Sequence, residues 1–281
     1  MTPRAALLAA ALLACAPPPP PPSPVLQDMT VSTGPKAPVP TDILPKTTTE
    51  APATAPPTAP LAAPPTTPDP RLAETRSNDP RINAPYRARG AAPRWARRFE
   101  RDGREVHDHR AEIVRALALR PGMAIADLGA GTGLFTVAFA EAVGPTGTVY
   151  AVDLIPAFLA HIRKKIARAG LTQVQLIQAS DRSAELPPAS VDLVFMSDVY
   201  HHLEYPQHVL ASLRQALRPG GSLWVIDFQR EPGRSPAWVL SHVRAGKAEI
   251  LRELALAGFE LVAEPPLLRD NYVLQLRPRA G

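Results

Sequence analysis

The segment DLGAGTG at residues 127–133 constrains the fold of this chain more than any other feature. It joins a short apolar run at 123–128, which predicts a buried strand, to a helical apolar pattern at 134–143. Glycines between a strand and a helix let the backbone turn tightly and approach a ligand closely, while the helix N-terminus presents free amides and the positive end of its dipole. The segment therefore predicts a strand–loop–helix unit that binds an anionic group, such as a carboxylate or a phosphate.

The residues after 110 alternate between strand and helix patterns, which indicates a parallel sheet with helices on both faces. The predicted strands lie at 148–152, 174–177, 191–196 and 222–227, and the predicted helices lie at 156–169 and 205–217. A last helix at 242–257 is followed by strands at 259–263 and 271–276, whose link is too short for a crossover. The predicted fold is α/β: a doubly wound, mostly parallel seven-stranded sheet with a C-terminal antiparallel hairpin.

Three motifs resemble those of the class I methyltransferases that use S-adenosylmethionine. DLGAGTG at 127–133 is similar to the first motif of that family, and VYAVD at 149–153 is similar to its second. DVYHH at 198–202 resembles a bacterial subset of the family with an Asp-x-Tyr-His-His segment. The resemblance runs from about Trp95 to the C-terminus. It implies a Rossmann-like methyltransferase domain, placed at residues 111–281, with S-adenosylmethionine as cofactor.

The resemblance also implies a set of cofactor-binding residues at the ends of the first three strands, namely Asp127, Gly129, Ala130, Gly131, Gly133, Asp153, Leu154 and Asp181. A carboxylate placed like Asp153 can accept hydrogen bonds from both hydroxyls of a ribose. Asp127 would orient the loop and compensate the positive charges of the cofactor. Asp181 would meet the adenine amino group or, alternatively, be a solvated loop residue. A nicotinamide dehydrogenase is the rival, but its fingerprint requires glycine or alanine where Leu134 stands.

The catalytic candidates follow the fourth predicted strand, because ligands of open α/β sheets bind beyond the carboxyl ends of the strands. They are His201, His202, Asp198 and Tyr200. Histidine titrates near neutrality, so one histidine is expected to act as a base or to position the acceptor, with Asp198 and Tyr200 completing the wall. The alternative is that one histidine packs and donates to a backbone carbonyl while the other lines the cofactor pocket.

No metal site is expected from the sequence. The segment HDH at 107–109 and the histidine pair at 201–202 are far apart and show no recognised ligand spacing. Catalysis without a metal is therefore expected. Near the C-terminus, four polar residues either recognise an anionic acceptor or pair with one another at the rim: Asp227, Arg230, His242 and Arg244.

Residues 1–14 have the three parts of an export signal, which are Arg4, an apolar run at 5–13 and a small residue before Cys15. The run is too short to span a membrane. Leu-Leu-Ala-Cys resembles the lipobox of bacterial lipoproteins, which implies lipidation of Cys15. The protein would then be anchored in the cell envelope, at the outer membrane or the periplasmic face. The alternatives are an ordinary secreted precursor and a start codon assigned too early.

Residues 15–70 are predicted to be a disordered linker, because 16–70 contain 19 prolines and 10 threonines. Proline fixes φ and removes a backbone donor, so an extended, polyproline-like spacer is expected. Residues 71–110 carry eleven arginines against six acidic residues, so this segment alone carries the net charge of +5. We predict a basic helical segment with Trp95 and Phe99 turned inward or, alternatively, an anion-binding arm.

The predicted function is S-adenosylmethionine-dependent methyl transfer to an unidentified acceptor by direct in-line displacement. The sulfonium is already activated, so alignment of the acceptor with the methyl group supplies most of the acceleration. The alternatives are a non-catalytic S-adenosylmethionine-binding or scaffold lipoprotein and an NAD-dependent dehydrogenase. The expected partners are a small-molecule or envelope acceptor and a membrane reached through the lipid anchor. Nucleic acid is not expected as a partner, and the oligomeric state stays open.

Overall fold

The computed structural model describes residues 77–88 and 90–279. The predicted signal, the lipidation at Cys15 and the Pro/Thr-rich linker at 15–70 lie outside these residues. Within them, every helix is too short or too polar to cross a membrane.

A single seven-stranded sheet organises the described residues, with the strand order β3-β2-β1-β4-β5-β7-β6. The strands are β1 Ala124–Leu128, β2 Thr148–Asp153, β3 Val174–Gln178, β4 Val191–Ser197, β5 Leu217–Phe228, β6 Phe259–Ala263 and β7 Asn271–Pro278. Strands β1 to β5 pair in parallel, whereas β7 pairs antiparallel with both β5 and β6. This arrangement confirms the predicted doubly wound sheet with an antiparallel C-terminal hairpin.

The helices of the described residues cover both faces of the sheet. They are α1 Ala84–Arg87, α2 Ala91–Phe99, α3 Glu105–Asp108, α4 Arg110–Ala116, α5 Leu134–Val143, α6 Pro156–Ala169, α7 Pro206–Ala216, α8 Ala237–His242 and α9 Lys247–Leu256. Helices α4, α5 and α6 pack on one face, and α7 and α9 pack on the other. Every residue of β1 is buried, as expected for a parallel strand with helices on both faces.

Most of the helix predicted at 242–257 is present as α9, but its predicted start is wrong, because His242 ends the separate helix α8 and residues 243–246 lie between the two helices. The Arg230 side chain explains the break. Its Nε donates to the carbonyl of Val243 at 2.7 Å, and its Nη2 donates to that of Leu240 at 3.0 Å. These bonds satisfy carbonyls at the end of α8, so the chain has no need to continue the helix. The break leaves His242 at the last position of α8.

The basic segment packs against the sheet domain through an aromatic cluster. Trp95 and Phe99 lie on one face of α2 and stack with ring centroids 5.2 Å apart. Tyr86 packs on Trp95 at 4.7 Å, and Phe158 of α6 completes the cluster. The i, i+4 spacing of Trp95 and Phe99 thus places both rings inward, while Arg97 is exposed on the other face of α2.

Candidate functional site

A cavity of about 810 Å³ lies beyond the carboxyl ends of β1, β2 and β4. One part of its wall, here called the glycine end, consists of residues 127–132, 153–154 and 179–181. The opposite part, here called the histidine end, contains Asp198, His201, His202 and His242. The basic segment closes the wall between them with Tyr86, Phe99, Arg104 and neighbouring residues. The motif residues predicted from the sequence are therefore distributed around one cavity.

The glycine end is built by a loop whose backbone requires glycine. Gly129 and Gly131 have φ of +69° and +55°, a region that glycine adopts without strain. A Cβ at Gly129 would lie only 2.4 Å from Cγ2 of Val199. The amides of Gly129 and Ala130 both donate to the carbonyl of Val152, at 2.8 and 3.0 Å, which fixes the loop to β2. Close packing and backbone conformation together exclude a larger residue at Gly129.

Asp153 ends β2 and braces the same loop. Its Oδ2 accepts a hydrogen bond from the Gly131 amide at 2.7 Å, and its Oδ1 accepts one from the Ile155 amide at 2.7 Å. Burial raises the pKa of Asp153 to about 6, although the two amides oppose the shift. A carboxylate oxygen has two lone pairs, so each oxygen keeps acceptor capacity for a further donor. Asp153 can therefore hold the loop and accept ligand hydroxyls at the same time.

Asp127 lies deeper in the glycine end, at the end of β1. The Thr136 hydroxyl donates to its Oδ2 at 2.6 Å. Burial raises the pKa of Asp127 to about 7, and the hydrogen bond from Thr136 opposes this shift. Leu154 and Asp181 also line the cavity, with Asp181 only partly buried. The glycine end thus contains two carboxyl groups in its floor and a third towards solvent.

Two residues predicted for the site do not line the cavity. Gly133 adopts φ +74° at the N-terminus of α5, where a Cβ would lie 3.1 Å from Cγ1 of Ile162, so its role is to begin the helix beside α6. The Tyr200 side chain is fully buried in the core, and its hydroxyl donates to Oε2 of Glu253 at 3.0 Å. Tyr200 and His201 follow each other in one 3₁₀ turn, and they point in different directions.

His201 is held at the histidine end by Asp227, the penultimate residue of β5. Nδ1 of His201 lies 2.7 Å from Oδ1 of Asp227, and the His201 amide donates to Oδ2 at 3.0 Å. The two side chains are 2% and 0% exposed. Burial disfavours the charged imidazole, but the charge and hydrogen bond of Asp227 outweigh it and raise the pKa of His201. A carboxylate is an acceptor only, so Nδ1 carries the proton and Nε2 is the remaining ring nitrogen.

His202 has different surroundings from its neighbour. Its Nε2 lies 3.3 Å from the Tyr86 hydroxyl, and its Nδ1 is buried with no hydrogen-bond partner among the described residues. Burial, followed by the nearby His201 and His242, lowers the pKa of His202 to about 2. The ring of His242 lies 5.2 Å from that of His201 and 5.1 Å from that of His202, centroid to centroid. The three imidazoles therefore form one cluster.

Asp198 connects the histidine end to the basic segment. It has φ +55°, which is strained for a residue other than glycine. Arg104 Nη2 donates to its Oδ2 at 2.6 Å, and Asn271 Nδ2 donates to its Oδ1 at 2.6 Å. Burial raises the pKa of Asp198, and the Arg104 charge opposes the shift. Its two partners come from residues 94 and 73 positions away, so only tertiary structure brings them together.

Sequence reasoning missed three residues that complete the histidine end, namely Tyr86, Arg104 and Asn271, and it named Asp227 and His242 only as possible anion-binding or rim-pairing residues. Of the pairings proposed near the C-terminus, none is formed. Arg244 instead makes a bidentate pair with Glu253 at 2.7 Å, and Arg230 binds backbone carbonyls. The one signal available was position, because Asp227 ends a strand at the same sheet edge as Asp153.

Residues 126–223 match the family model described as a methyltransferase domain. This range includes the whole glycine end together with Asp198, His201 and His202. Tyr86, Arg104, Asp227 and His242 lie outside it.

The curated relatives include the ubiquinone/menaquinone biosynthesis C-methyltransferases UbiE. The protein from Ectopseudomonas mendocina is 33% identical over 121 residues, which are 43% of this chain and 47% of that protein. The protein from Ralstonia pickettii is 32% identical over 118 residues, which are 42% of this chain and 48% of that protein. This chain thus spans about half the length of the curated relatives that it matches.

Solved structures share the fold. A S-adenosylmethionine-dependent methyltransferase from Aquifex aeolicus superposes with a TM-score of 0.58 and 23% identity, covering 66% of this chain and 97% of that one. The cyclase SpnF superposes with a TM-score of 0.54 and 17% identity, covering 65% and 86%. The Rossmann-like methyltransferase fold is therefore present, and class I methyltransferases use S-adenosylmethionine as methyl donor. A protein described as a cyclase has the same fold, so fold alone does not fix the reaction.

Proposed function

We propose that this protein transfers the methyl group of S-adenosylmethionine to a small acceptor molecule inside the cavity. One observation carries the proposal. The Asp153 carboxylate accepts a hydrogen bond from the Gly131 amide. The carboxylate expected to bind the ribose hydroxyls is therefore attached to the glycine loop at the cavity wall. Proteins that bind nucleosides at a sheet edge use this combination of a glycine turn and a carboxylate at the end of the next strand.

The glycine end fixes the orientation of the donor. The Gly129, Ala130 and Gly131 amides are already bound to Val152 and Asp153, so the glycine backbone would place the methionine part by close approach, and Asp153 would accept the ribose hydroxyls. Leu154 and Asp181 would hold the adenine, and the buried carboxyl of Asp127 would compensate the positive groups of the donor. The acceptor would bind at the histidine end of the same cavity.

The walls near the histidine end suit an acceptor with an apolar ring or chain. Phe228 and Trp238 pack edge to face with centroids 5.0 Å apart, and both line the cavity. Tyr86 and Phe99 line it from the basic segment. Apolar walls with a few polar groups are typical of small-molecule sites. We therefore favour a small apolar acceptor that carries one polar atom.

In direct methyl transfer no bond forms between these residues and the methyl group. The acceptor atom forms a bond to the methyl carbon, the carbon–sulfur bond breaks, and its electron pair stays on sulfur as the neutral thioether. Asp227 fixes the tautomer of His201, whose Nε2 can accept a hydrogen bond from an acceptor hydroxyl or amine, align it with the methyl group and take the proton that the methylated atom releases. Asp198 is a positioning residue, because its oxygens are occupied by Arg104 and Asn271.

Calorimetry of S-adenosylmethionine binding tests this proposal with two variants of equal charge change. Asp153→Ala should weaken binding at least ~100-fold, because it removes the ribose acceptor and a brace of the loop. Glu260→Ala, on strand β6 away from the cavity, should leave binding unchanged. A wild-type protein that does not bind S-adenosylmethionine, or equal losses in the two variants, would overturn the proposal.

Turnover is a separate measurement. Incubation with methyl-labelled donor and fractionated small-molecule and envelope extracts should give a labelled product that depends on Asp153. Donor binding without any labelled product would instead support the non-catalytic alternative. The cyclase that shares the fold makes this comparison necessary.

We further propose that Cys15 carries lipid and anchors the protein in the cell envelope, where the acceptor is met. The support is the sequence Leu-Leu-Ala-Cys after a short apolar run. Membrane fractionation of the wild type and of Cys15→Ser tests it. The wild type should sediment with membranes and the variant should not. A wild type found among the soluble proteins of the cytoplasm would refute the anchor and leave the cofactor site unaffected.

A further inference from the structure

We propose that His201, His202 and His242 bind a divalent transition-metal ion at the histidine end of the cavity, with zinc as the first candidate. Each residue offers one ring nitrogen, and the three nitrogens lie within 4.8 Å of one another. The ring centroids are 4.2, 5.1 and 5.2 Å apart. Two nitrogens bound to one ion at ~2.1 Å lie ~3.4 Å apart in a tetrahedral site, so pairs of nitrogens would have to approach by at most ~1.4 Å to share one ion.

The groups behind the imidazoles are those that orient histidine ligands. Asp227 accepts the Nδ1 proton of His201 at 2.7 Å, which leaves Nε2 to bind the ion. With the ion bound, a methyl acceptor would be placed through the open coordination position and not by a direct hydrogen bond to Nε2. A carboxylate behind a ligating histidine fixes ring orientation and raises ligand basicity in known metal sites. The Tyr86 oxygen stands 3.3 Å from Nε2 of His202 and can hold that nitrogen's proton in the same way.

Nδ1 of His202 supplies an independent argument. It is buried and has no hydrogen-bond partner among the described residues, although buried polar atoms are normally satisfied. With the Nε2 proton donated to Tyr86, this nitrogen presents a bare lone pair. A metal ion shared with His201 and His242 satisfies it.

The donor set indicates the class of ion. Three imidazole nitrogens suit zinc, copper, iron or nickel, whereas magnesium and calcium require oxygen ligands. Three protein ligands also leave one coordination position open, as in catalytic zinc sites. All three histidines line the cavity, so the open position is available to water or to an oxygen atom of a bound molecule.

A second cluster of possible ligands provides the matched control. Asp102, His107 and Asp108 also lie within ligand distance of one another, but Asp102 and Asp108 are exposed at the surface. Asp108 is already used by the Gly103 amide at 2.9 Å and by Nδ1 of His107 at 3.1 Å. These hydrogen bonds account for the second cluster without an ion.

The experiment uses the full chain without a histidine tag, stripped with a chelator and dialysed against zinc or cobalt(II). Elemental analysis should find one ion per chain, and the cobalt form should show the visible absorption of a nitrogen-ligated, low-coordinate site. His242→Ala should weaken zinc binding at least ~100-fold, and Asp227→Asn ~10- to 100-fold. His107→Ala should bind zinc like the wild type.

His242 lies at the end of a short helix and is only partly buried, so His242→Ala tests the site even if Asp227→Asn fails to fold. Circular dichroism and donor binding report folding of each variant. No retained ion in the wild type, or an ion lost in His107→Ala and kept in His242→Ala, would overturn the proposal. Metal binding is measured without methyl donor, so its outcome is independent of the proposed methyl transfer.

Discussion

The glycine end and the histidine end of the cavity are built on opposite principles. The glycine end comes from the ends of three strands that follow one another along the chain, and its carboxylate Asp153 is held by backbone amides. The histidine end gathers Tyr86, His201, Asp227 and His242 from four separate segments, and side chains hold one another there. One end is therefore specified locally and the other by tertiary packing.

Sheet register explains how the glycine end is specified. Leu128 of β1 pairs with Val152 of β2, so the glycine loop and Asp153 leave the sheet side by side. In contrast, His242 lies at the end of α8, where the side chain of Arg230, from the segment after β5, donates to the carbonyls of Leu240 and Val243. A substitution at the glycine end should thus act on ligand binding and stability together, whereas one at the histidine end should separate the two.

The largest effect is expected from Gly129→Ala. The new Cβ would lie 2.4 Å from Val199, and the backbone has φ +69°. We expect a stability loss of about 2–4 kcal/mol in urea denaturation and no measurable donor binding. Gly170→Ala is the control, because Gly170 has φ +66° but no described atom within 4 Å of its Cβ position. It should lose only ~1 kcal/mol. Equal losses would show that close packing does not constrain the glycine end.

Arg104→Ala probes the histidine end. It removes the cation from Asp198, whose side chain is 9% exposed, while that of Arg104 is 21% exposed. Allowing for this partial exposure, we expect a stability loss of about 2 kcal/mol. Donor affinity should change less than ~3-fold, because the side-chain hydrogen bonds of Arg104 among the described residues go to Asp198 and Phe99 and not to the glycine end. The double variant with Asp198→Asn should regain most of the stability. If Arg104→Ala lowered the donor affinity as much as Asp153→Ala does, the histidine end would also determine donor binding, and the two ends would not differ in this respect.

The buried carboxyls of the glycine end predict opposite pH dependences for binding and stability. A protonated Asp153 cannot accept from both ribose hydroxyls, so its pKa of about 6 should reduce donor affinity ~10-fold between pH 8 and pH 5. Asp153→Asn should flatten this profile in calorimetry.

The stability of the ligand-free protein should depend on pH in the opposite direction, because the folded pKa values of Asp153 and Asp127 are raised to about 6 and about 7. Their contribution to the stability of the ligand-free protein is complete below about pH 4 and is lost as pH rises through those values. If donor affinity and the free energy of unfolding both rose, or both fell, between pH 5 and pH 8, the roles given to Asp153 and Asp127 would be contradicted.

The smallest effect is expected from Tyr86→Phe. The variant keeps the ring in the aromatic cluster and removes only the hydroxyl 3.3 Å from Nε2 of His202. We expect a stability loss of about 0.5–1 kcal/mol and unchanged donor affinity. Zinc affinity should fall, since the oxygen that orients His202 is gone. If Tyr86→Phe lowered the donor affinity and left the zinc affinity unchanged, Tyr86 would contribute to donor binding and not to the histidine end.

The same contrast explains what the sequence could predict. The alternation of strands and helices, the loop at 127–133 and the place of Asp153 follow from periodicity and glycine spacing, which are local signals. Tyr200 was assigned to the cavity wrongly, because a 3₁₀ turn sends neighbouring side chains in different directions. The sequence pattern at 242–257 puts His242 at the start of a long helix, because it does not show that the Arg230 side chain binds carbonyls at the end of α8. Contacts between side chains that are far apart in sequence produce no repeating pattern of residues, so they cannot be predicted in this way.

The position of the basic segment in the cavity wall bears on how such a protein acquires new substrates. The family match covers residues 126–223 and with them the whole glycine end. Tyr86 and Arg104, as well as Phe228 and Trp238, lie outside it and still line the cavity. Under the proposed function, the aromatic part of the acceptor wall thus lies outside the family match, whereas the donor-binding residues and His201 lie inside it. A library of variants at Tyr86, Phe228 and Trp238 therefore changes the acceptor wall without altering any residue of the glycine end.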